Sequence, residues 1–155
     1  MEQTFVILKP SAVQRSLVGD VITRFQRKGL FITGIKMMQL DEQILRVHYA
    51  HLVDKPFFPS LVKSMMATPV IVMVLKGKDV VEVVRSMVGM TNARKAAAGT
   101  IRGDFGMSGQ ENIVHASDSS ENAVIEINRF FKPEEIFSYL PSNVKYFYGD
   151  NELAE

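Results

Sequence analysis

The stretch richest in chemistry is ENIVHASDSSENAVIEI, residues 111–127. A short apolar run, Ile113-Val114, hands straight to His115. Ser117, Asp118, Ser119 and Ser120 follow before a helical pattern begins. On a helix at about 100° per residue, residues 119–131 place Ala123, Ile127 and Phe130 on one apolar stripe, with Glu126 inside it. A carboxylate facing a core needs a partner or takes up a proton. His115, entering from the strand end, can be that partner. A carboxylate bonded to one ring nitrogen fixes the tautomer and frees the other nitrogen for nucleophilic chemistry. The plainer alternative is a satisfied histidine in a polar turn, with Asp118 and Glu121 as a capping arrangement at the helix start.

The remaining candidates are weaker. His48 and His51 stand three apart on a predicted helix and could share a metal, but no third ligand is nearby in sequence; a solvated helix face is expected instead. Residues 89–112 show no convincing regular element. They carry Thr91, Arg94, Lys95, Arg102 and five of the ten glycines. Loops this long are usually functional or disordered, and glycine with arginine suits close approach to phosphate. Neither G-x-x-x-x-G-K-[ST] nor G-x-G-x-x-G occurs, so any phosphate handled here is not held by a P-loop or a Rossmann turn.

These residues need a scaffold. The 155-residue chain is 46% apolar with a net charge of +1, which supports one globular domain, residues 1–155, and argues against a main role in wrapping nucleic acid. The absence of cysteine removes disulfides, thiolate catalysis and cysteine-based zinc sites. The opening residues MEQTFVILKPSAVQR match neither an export signal nor a membrane span, so a cytoplasmic protein without membrane contact is expected. Strands are predicted at 4–8, stopped by Lys9-Pro10, at 30–40, at 69–77 and at 113–116. Helices are predicted at 19–28, from an Asp41 cap to about residue 52, and at 56–67, 79–87 and 119–131.

NIVHASDSSENAVIEI closely resembles the active-site signature of nucleoside diphosphate kinases. TFVILKPSAVQR resembles that family's first strand with its Lys-Pro, HYAHLVDKPFFPSLV its nucleotide-clamping helix pair, and GTIRGDF the loop before the signature. The resemblance implies an α+β, ferredoxin-like fold: a four-stranded antiparallel sheet with helices covering one face. It implies ping-pong transfer of the terminal phosphate of a nucleoside triphosphate, mainly ATP, to nucleoside or deoxynucleoside diphosphates through a phosphohistidine.

By the same resemblance, His115 is the nucleophile at Nδ1, with Nε2–H held by Glu126 and that carboxylate supported by Ser117. Lys9 gives a cation to the transferred phosphoryl and a bond to the sugar 3′-hydroxyl. Arg85, Thr91 and Arg102 hold the outer phosphates, Asn112 reads the sugar hydroxyl, and Tyr49 supports the His115 region. Phe57 stacks on the base with Leu61 beside it, although composition alone would assign both to the core. Mg²⁺ arrives on the nucleotide phosphates without direct protein ligation, Asp118 reaching it through water at most. A homo-oligomer is implied, a hexamer favoured over a tetramer by the tail running through YFYGDNELAE.

The chain departs from the family at Ser11-Ala12, where Asp-Gly is usual, at Ala93, where proline is common, and at Ala97-Ala98, where Lys-Pro is usual. The first bears on packing near Lys9, the others on loop rigidity and assembly. Two rivals remain: a sheet presenting aromatics to single-stranded RNA, and an inactive relative used for assembly. No basic-aromatic cluster supports the first. Intact His115, Lys9, Arg85, Arg102, Asn112 and Glu126 oppose the second.

Overall fold

A computed structural model describes residues 1–153; of the tail, Ala154 and Glu155 lie outside the described residues. In chain order the elements are β1 (Glu2–Leu8), α1 (Pro10–Gln14), α2 (Val18–Arg27), β2 (Phe31–Met38), α3 (Glu42–His48), α4 (Phe58–Met65), β3 (Val70–Gly77), α5 (Val80–Val88), α6 (Ile101–Phe105), β4 (Val114–Ala116), α7 (Ser120–Phe130) and α8 (Asp150–Leu153). The four strands form one sheet in the order β2-β3-β1-β4, and every neighbouring pair is antiparallel.

The continuous apolar runs of β1 and β3 reflect their central places. Side chains alternate across a strand, so Val6 and Leu8 enter one core with Phe25, Met73 and Val84, while Phe5 and Ile7 enter a second with Leu45, Val72 and Ile127. Helices therefore cover both faces, not the single face the resemblance implied. α2, α5 and α6 pack on one side; α3, α4 and much of α7 pack on the other.

Local chemistry sets the ends of the elements. Asp41 accepts from the Ile44 N–H at 2.8 Å and caps α3, as expected. The expected helix from 41 to 52 is split at Tyr49 (φ −109°, ψ 37°), after which a 3₁₀ turn spans Ala50–Leu52. The cap of α7 is Ser119, whose hydroxyl accepts from the Asn122 N–H at 3.1 Å, rather than the predicted Asp118–Glu121 pair. Asp118 accepts from the Asn122 side-chain amide at 2.6 Å instead.

Two short helices depart from the sequence expectation. Pro10, which stops β1, also opens α1, because its fixed φ suits the first helical turn. Within residues 89–112, α6 starts at Thr100, whose hydroxyl accepts from the Gly103 N–H at 3.0 Å. A side chain at Gly103 would collide with the Ala97 carbonyl oxygen. The RGD tripeptide thus lies inside a helix with Arg102 buried.

Candidate active site

β4 is an edge strand, paired to β1 with His115 opposite Ile7. Just before it the chain bends sharply. Ile113 has φ 74°, a left-handed conformation rare for a β-branched residue and costing on the order of 1–3 kcal/mol. The bend is braced: Ile113 donates its N–H to the Ser11 hydroxyl at 3.2 Å, and its carbonyl accepts from the Lys9 N–H at 2.9 Å. Ser11, a departure from the family pattern, thus braces the strand that carries His115.

At the strand end, His115 Nε2 lies 2.8 Å from Glu126 Oε2, and the same oxygen accepts from the Ser117 hydroxyl at 3.0 Å. A carboxylate only accepts, so Nε2 carries a ring proton, and in the neutral ring Nδ1 keeps the lone pair. The inward-facing carboxylate predicted from helical spacing has found its partner eleven residues upstream.

His115 opens into a cleft of about 840 Å³ that gathers Lys9, Tyr49, Phe57, Leu61, Arg85, Thr91, Arg102, Asn112, Asp118 and Glu126. Ser117 stands behind Glu126, fully buried, and does not line the cleft. Phe57 is 49% exposed at the mouth, so the core assignment suggested by composition is wrong for it. Leu61 is buried and serves both cleft and core.

The polar residues are held hard. Lys9 Nζ donates to Asn112 Oδ1 at 2.6 Å, and Asn112 Nδ2 donates to the carbonyls of Thr91 and Gly109 at 2.8 and 2.9 Å. Arg102 donates to the carbonyls of Asn112, Gly89 and Val114 at 3.2, 3.0 and 2.7 Å. These bonds staple residues 89–112 to the sheet edge. Burial, helped by the Arg102 charge and opposed by Glu111, pulls the Lys9 ammonium down to about 7. Burial and the Glu126 charge raise the Tyr49 phenol well above its usual range, with Arg102 opposing. The bond from Asn122 holds the Asp118 carboxyl below its ordinary value.

His48 differs from expectation. It is buried beside His115, ring centroids 4.5 Å apart, not on a solvated face. Its Nδ1 lies 3.0 Å from Arg129 Nη1. Burial first, then the charges of His115, Arg129, His51 and Lys9, push the imidazole down to about 2. Arg129 also lines the cleft. Its signal was present in the sequence: it stands three residues after Glu126, on the same helix face.

Among the described residues, one group could offer atoms to a metal: His48, His115 and Glu126, within 4.8 Å of one another. It suits Mg²⁺ poorly, since that ion prefers oxygen ligands. Glu126 is also engaged by His115 and Ser117, and His48 by Arg129.

A family profile described as nucleoside diphosphate kinase matches residues 2–136. The chain belongs to the nucleoside diphosphate kinase family. A relative with that name from Parabacteroides distasonis is 55% identical over 153 residues, covering 99% of this chain and 100% of the relative. One from Pyrococcus horikoshii is 51% identical over 150 residues, 95% of each chain. The solved nucleoside diphosphate kinase of Halobacterium salinarum in complex with CDP superposes with a TM-score of 0.92 at 42% identity, covering 95% of this chain and 98% of that one. Members are phosphotransferases with this ferredoxin-like α+β fold, and this chain is one of them.

Proposed function

We propose that this protein moves the terminal phosphate of a nucleoside triphosphate, mainly ATP, to nucleoside and deoxynucleoside diphosphates by a ping-pong route through His115. The observation that carries the reading is the 2.8 Å bond from His115 Nε2 to Glu126 at the wall of a cationic cleft. The Nδ1 lone pair attacks the terminal phosphorus. A nitrogen–phosphorus bond forms as the bond to the leaving diphosphate oxygen breaks. Glu126 holds the Nε2 proton while the ring carries positive charge. A diphosphate then enters the same cleft, its terminal oxygen attacks, and the nitrogen–phosphorus bond breaks. Lys9, Arg85 and Arg102 offset the charge on the transferring group, with Thr91 beside the outer phosphates and the Tyr49 hydroxyl, buried without a hydrogen-bond partner, beside His115. Phe57 stacks on the base beside Leu61, a contact tolerant of base identity. Lys9 and Asn112 meet the sugar.

Mg²⁺ fits as an ion that comes with the phosphates, neutralising them when bound. Asp118 is the cleft carboxylate not committed to His115, suited to a contact through water and too little for a cage of its own. We further propose a single catalytic domain over residues 1–155, assembling as a homohexamer. The exposed side chains of Ile35 and Met37 on edge strand β2, and of Phe137, Leu140 and Tyr146 near the C-terminus, offer apolar surface for contacts between copies. A cytoplasmic setting is supported by the cysteine-free composition; among the described residues no helix is long and apolar enough to cross a membrane. No nucleic acid is required.

The test is incubation with Mg²⁺ and ATP carrying radioactive phosphorus at the γ position, without acceptor. The label should be acid-labile and base-stable, should leave on addition of a nucleoside diphosphate, and should vanish in His115→Ala. An acid-stable label moves the nucleophile elsewhere. Turnover without any label means direct transfer between two bound nucleotides.

A further inference from the structure

A second imidazole stands against the nucleophile, and the phosphoryl-transfer chemistry above does not use it. His48, from the end of α3, is buried, with its ring edge-on to His115 at 4.5 Å between centroids. Tyr49, Phe5 and Phe130 wall it in at 4.6, 6.1 and 5.1 Å. Its Nε2 is buried without a hydrogen-bond partner, while its Nδ1 lies 3.0 Å from Arg129 Nη1.

A guanidinium only donates. Nδ1 must therefore keep its lone pair, and a neutral ring carries its proton on Nε2. One atom each of His48, His115 and Glu126 lie within 4.8 Å of one another. The Glu126 carboxylate that orients His115 is thus close to a second ring with an unsatisfied N–H.

We propose that Arg129 is a positioning residue for phosphoryl transfer: by donating to Nδ1 of His48 it occupies the lone pair a proton would take, keeps that ring uncharged, and so prevents a His48 cation from drawing Glu126 away from His115. The proposal rests on His115 being the nucleophile.

The charged and titratable groups around His48 come from every neighbouring element: Glu126 and Arg129 from α7, His115 from β4, Lys9 after β1, and Tyr49 and His51 from the turn after α3. Arg129 opposes protonation of His48 in two ways. It adds a nearby positive charge, and it occupies the lone pair a proton would take. The strong downward displacement of His48 agrees with this. Without Arg129, the buried ring gains a route to protonation, and its counter-ion would be Glu126. His115 would then lose the bond that fixes its tautomer.

The experiment follows the rate of phosphohistidine formation from ATP and Mg²⁺ in a quenched single turnover between pH 5 and 8, for wild type, Arg129→Met and Arg129→Lys. Methionine keeps bulk but removes charge and donor; lysine keeps both. In Arg129→Met the acid limb should move up by about one pH unit, a tenfold change in the apparent proton affinity of the coupled ring pair. Arg129→Lys should restore most of it, with KM for ATP within about twofold throughout. Nitrogen NMR of the wild-type ring should show His48 with Nδ1 unprotonated and Nε2 protonated across this range. A superimposable profile for Arg129→Met, an equal loss at every pH in both variants, or a protonated His48 Nδ1 in wild type would each overturn the proposal. If Arg129→Met does not fold, the Arg129→Lys profile and the wild-type NMR signature decide. Wild type that forms no phosphohistidine defeats the underlying nucleophile assignment; wild type that labels normally while Arg129→Met is unshifted defeats only the role of Arg129.

Discussion

Replacing Glu126 by glutamine isolates what the carboxylate does for His115. The two side chains match in volume, and Glu126 and His115 are 13% and 19% exposed, so solvent weakens their interaction little. One oxygen, Oε2, accepts both from His115 Nε2 at 2.8 Å and from Ser117 Oγ at 3.0 Å. In the Glu126→Gln variant the amide oxygen can still take one of these bonds, and the Ser117 hydroxyl can rotate to satisfy the rest. The ground state should therefore remain folded, with melting close to wild type. The loss falls where the ring carries positive charge, as the nitrogen–phosphorus bond forms. A hydrogen bond to a charged partner contributes about 1.5–3 kcal/mol. At a factor of ten per ~1.36 kcal/mol, phosphohistidine formation should slow roughly 10- to 150-fold. Quenched single-turnover labelling measures this directly, with nucleotide affinity determined separately and expected to change little. Labelling within about threefold of wild type would refute the pairing as a catalytic contact. A loss wholly in nucleotide affinity would move the role of Glu126 from the chemistry to binding.

Phe57→Ala should weaken nucleotide binding by roughly 1–3 kcal/mol, similarly for all bases; unchanged calorimetric affinity for every nucleotide would deny Phe57 a stacking role. Lys9 is charged in the unfolded chain up to its ordinary value of 10.5 but loses its proton near 7 when folded. The unfolded state thus binds more protons between about pH 7 and 10, and stability should rise with pH there, by a few kcal/mol at most. Denaturant titrations should show this slope in wild type and not in Lys9→Met. Anionic phosphates should also draw a proton onto Lys9, so ATP binding near pH 8 should take up protons, visible in the buffer dependence of the calorimetric heat. Arg102→Met should cost on the order of 3 kcal/mol, because the carbonyls of Gly89 and Val114 lose the guanidinium donor and that of Asn112 keeps only the Val114 N–H, and should sensitise residues 89–112 to limited proteolysis; an unchanged denaturation midpoint would show that the staple carries no stability. Light scattering should give a homohexamer. A monomer would make Ala93 and Ala97-Ala98 the first suspects, whereas a tetramer would refute only the hexamer.

What the sequence by itself determined is whatever depends on short-range order. Periodicity of two or of 3.6 needs only neighbouring residues, and it located the strands, the main helices, the Asp41 cap and the inward turn of Glu126. Motifs are contiguous as well, which made the family and the cleft residues His115, Lys9, Arg85, Arg102 and Asn112 legible. The structure alone decided what depends on distant partners. α6 has five residues, too few for a helix to hold in water by itself; it forms because Arg102 reaches the carbonyls of Gly89, Asn112 and Val114. His48 and His51, three apart, look alike in sequence. Chain packing buries the first against Phe5, Phe130 and His115 and leaves the second exposed. Phe57 and Phe58 are adjacent and identical, yet Phe58 fills the core and Phe57 stands at the cleft mouth. Composition cannot separate such pairs, because burial belongs to the surface a side chain meets once sheet and helices have closed around it.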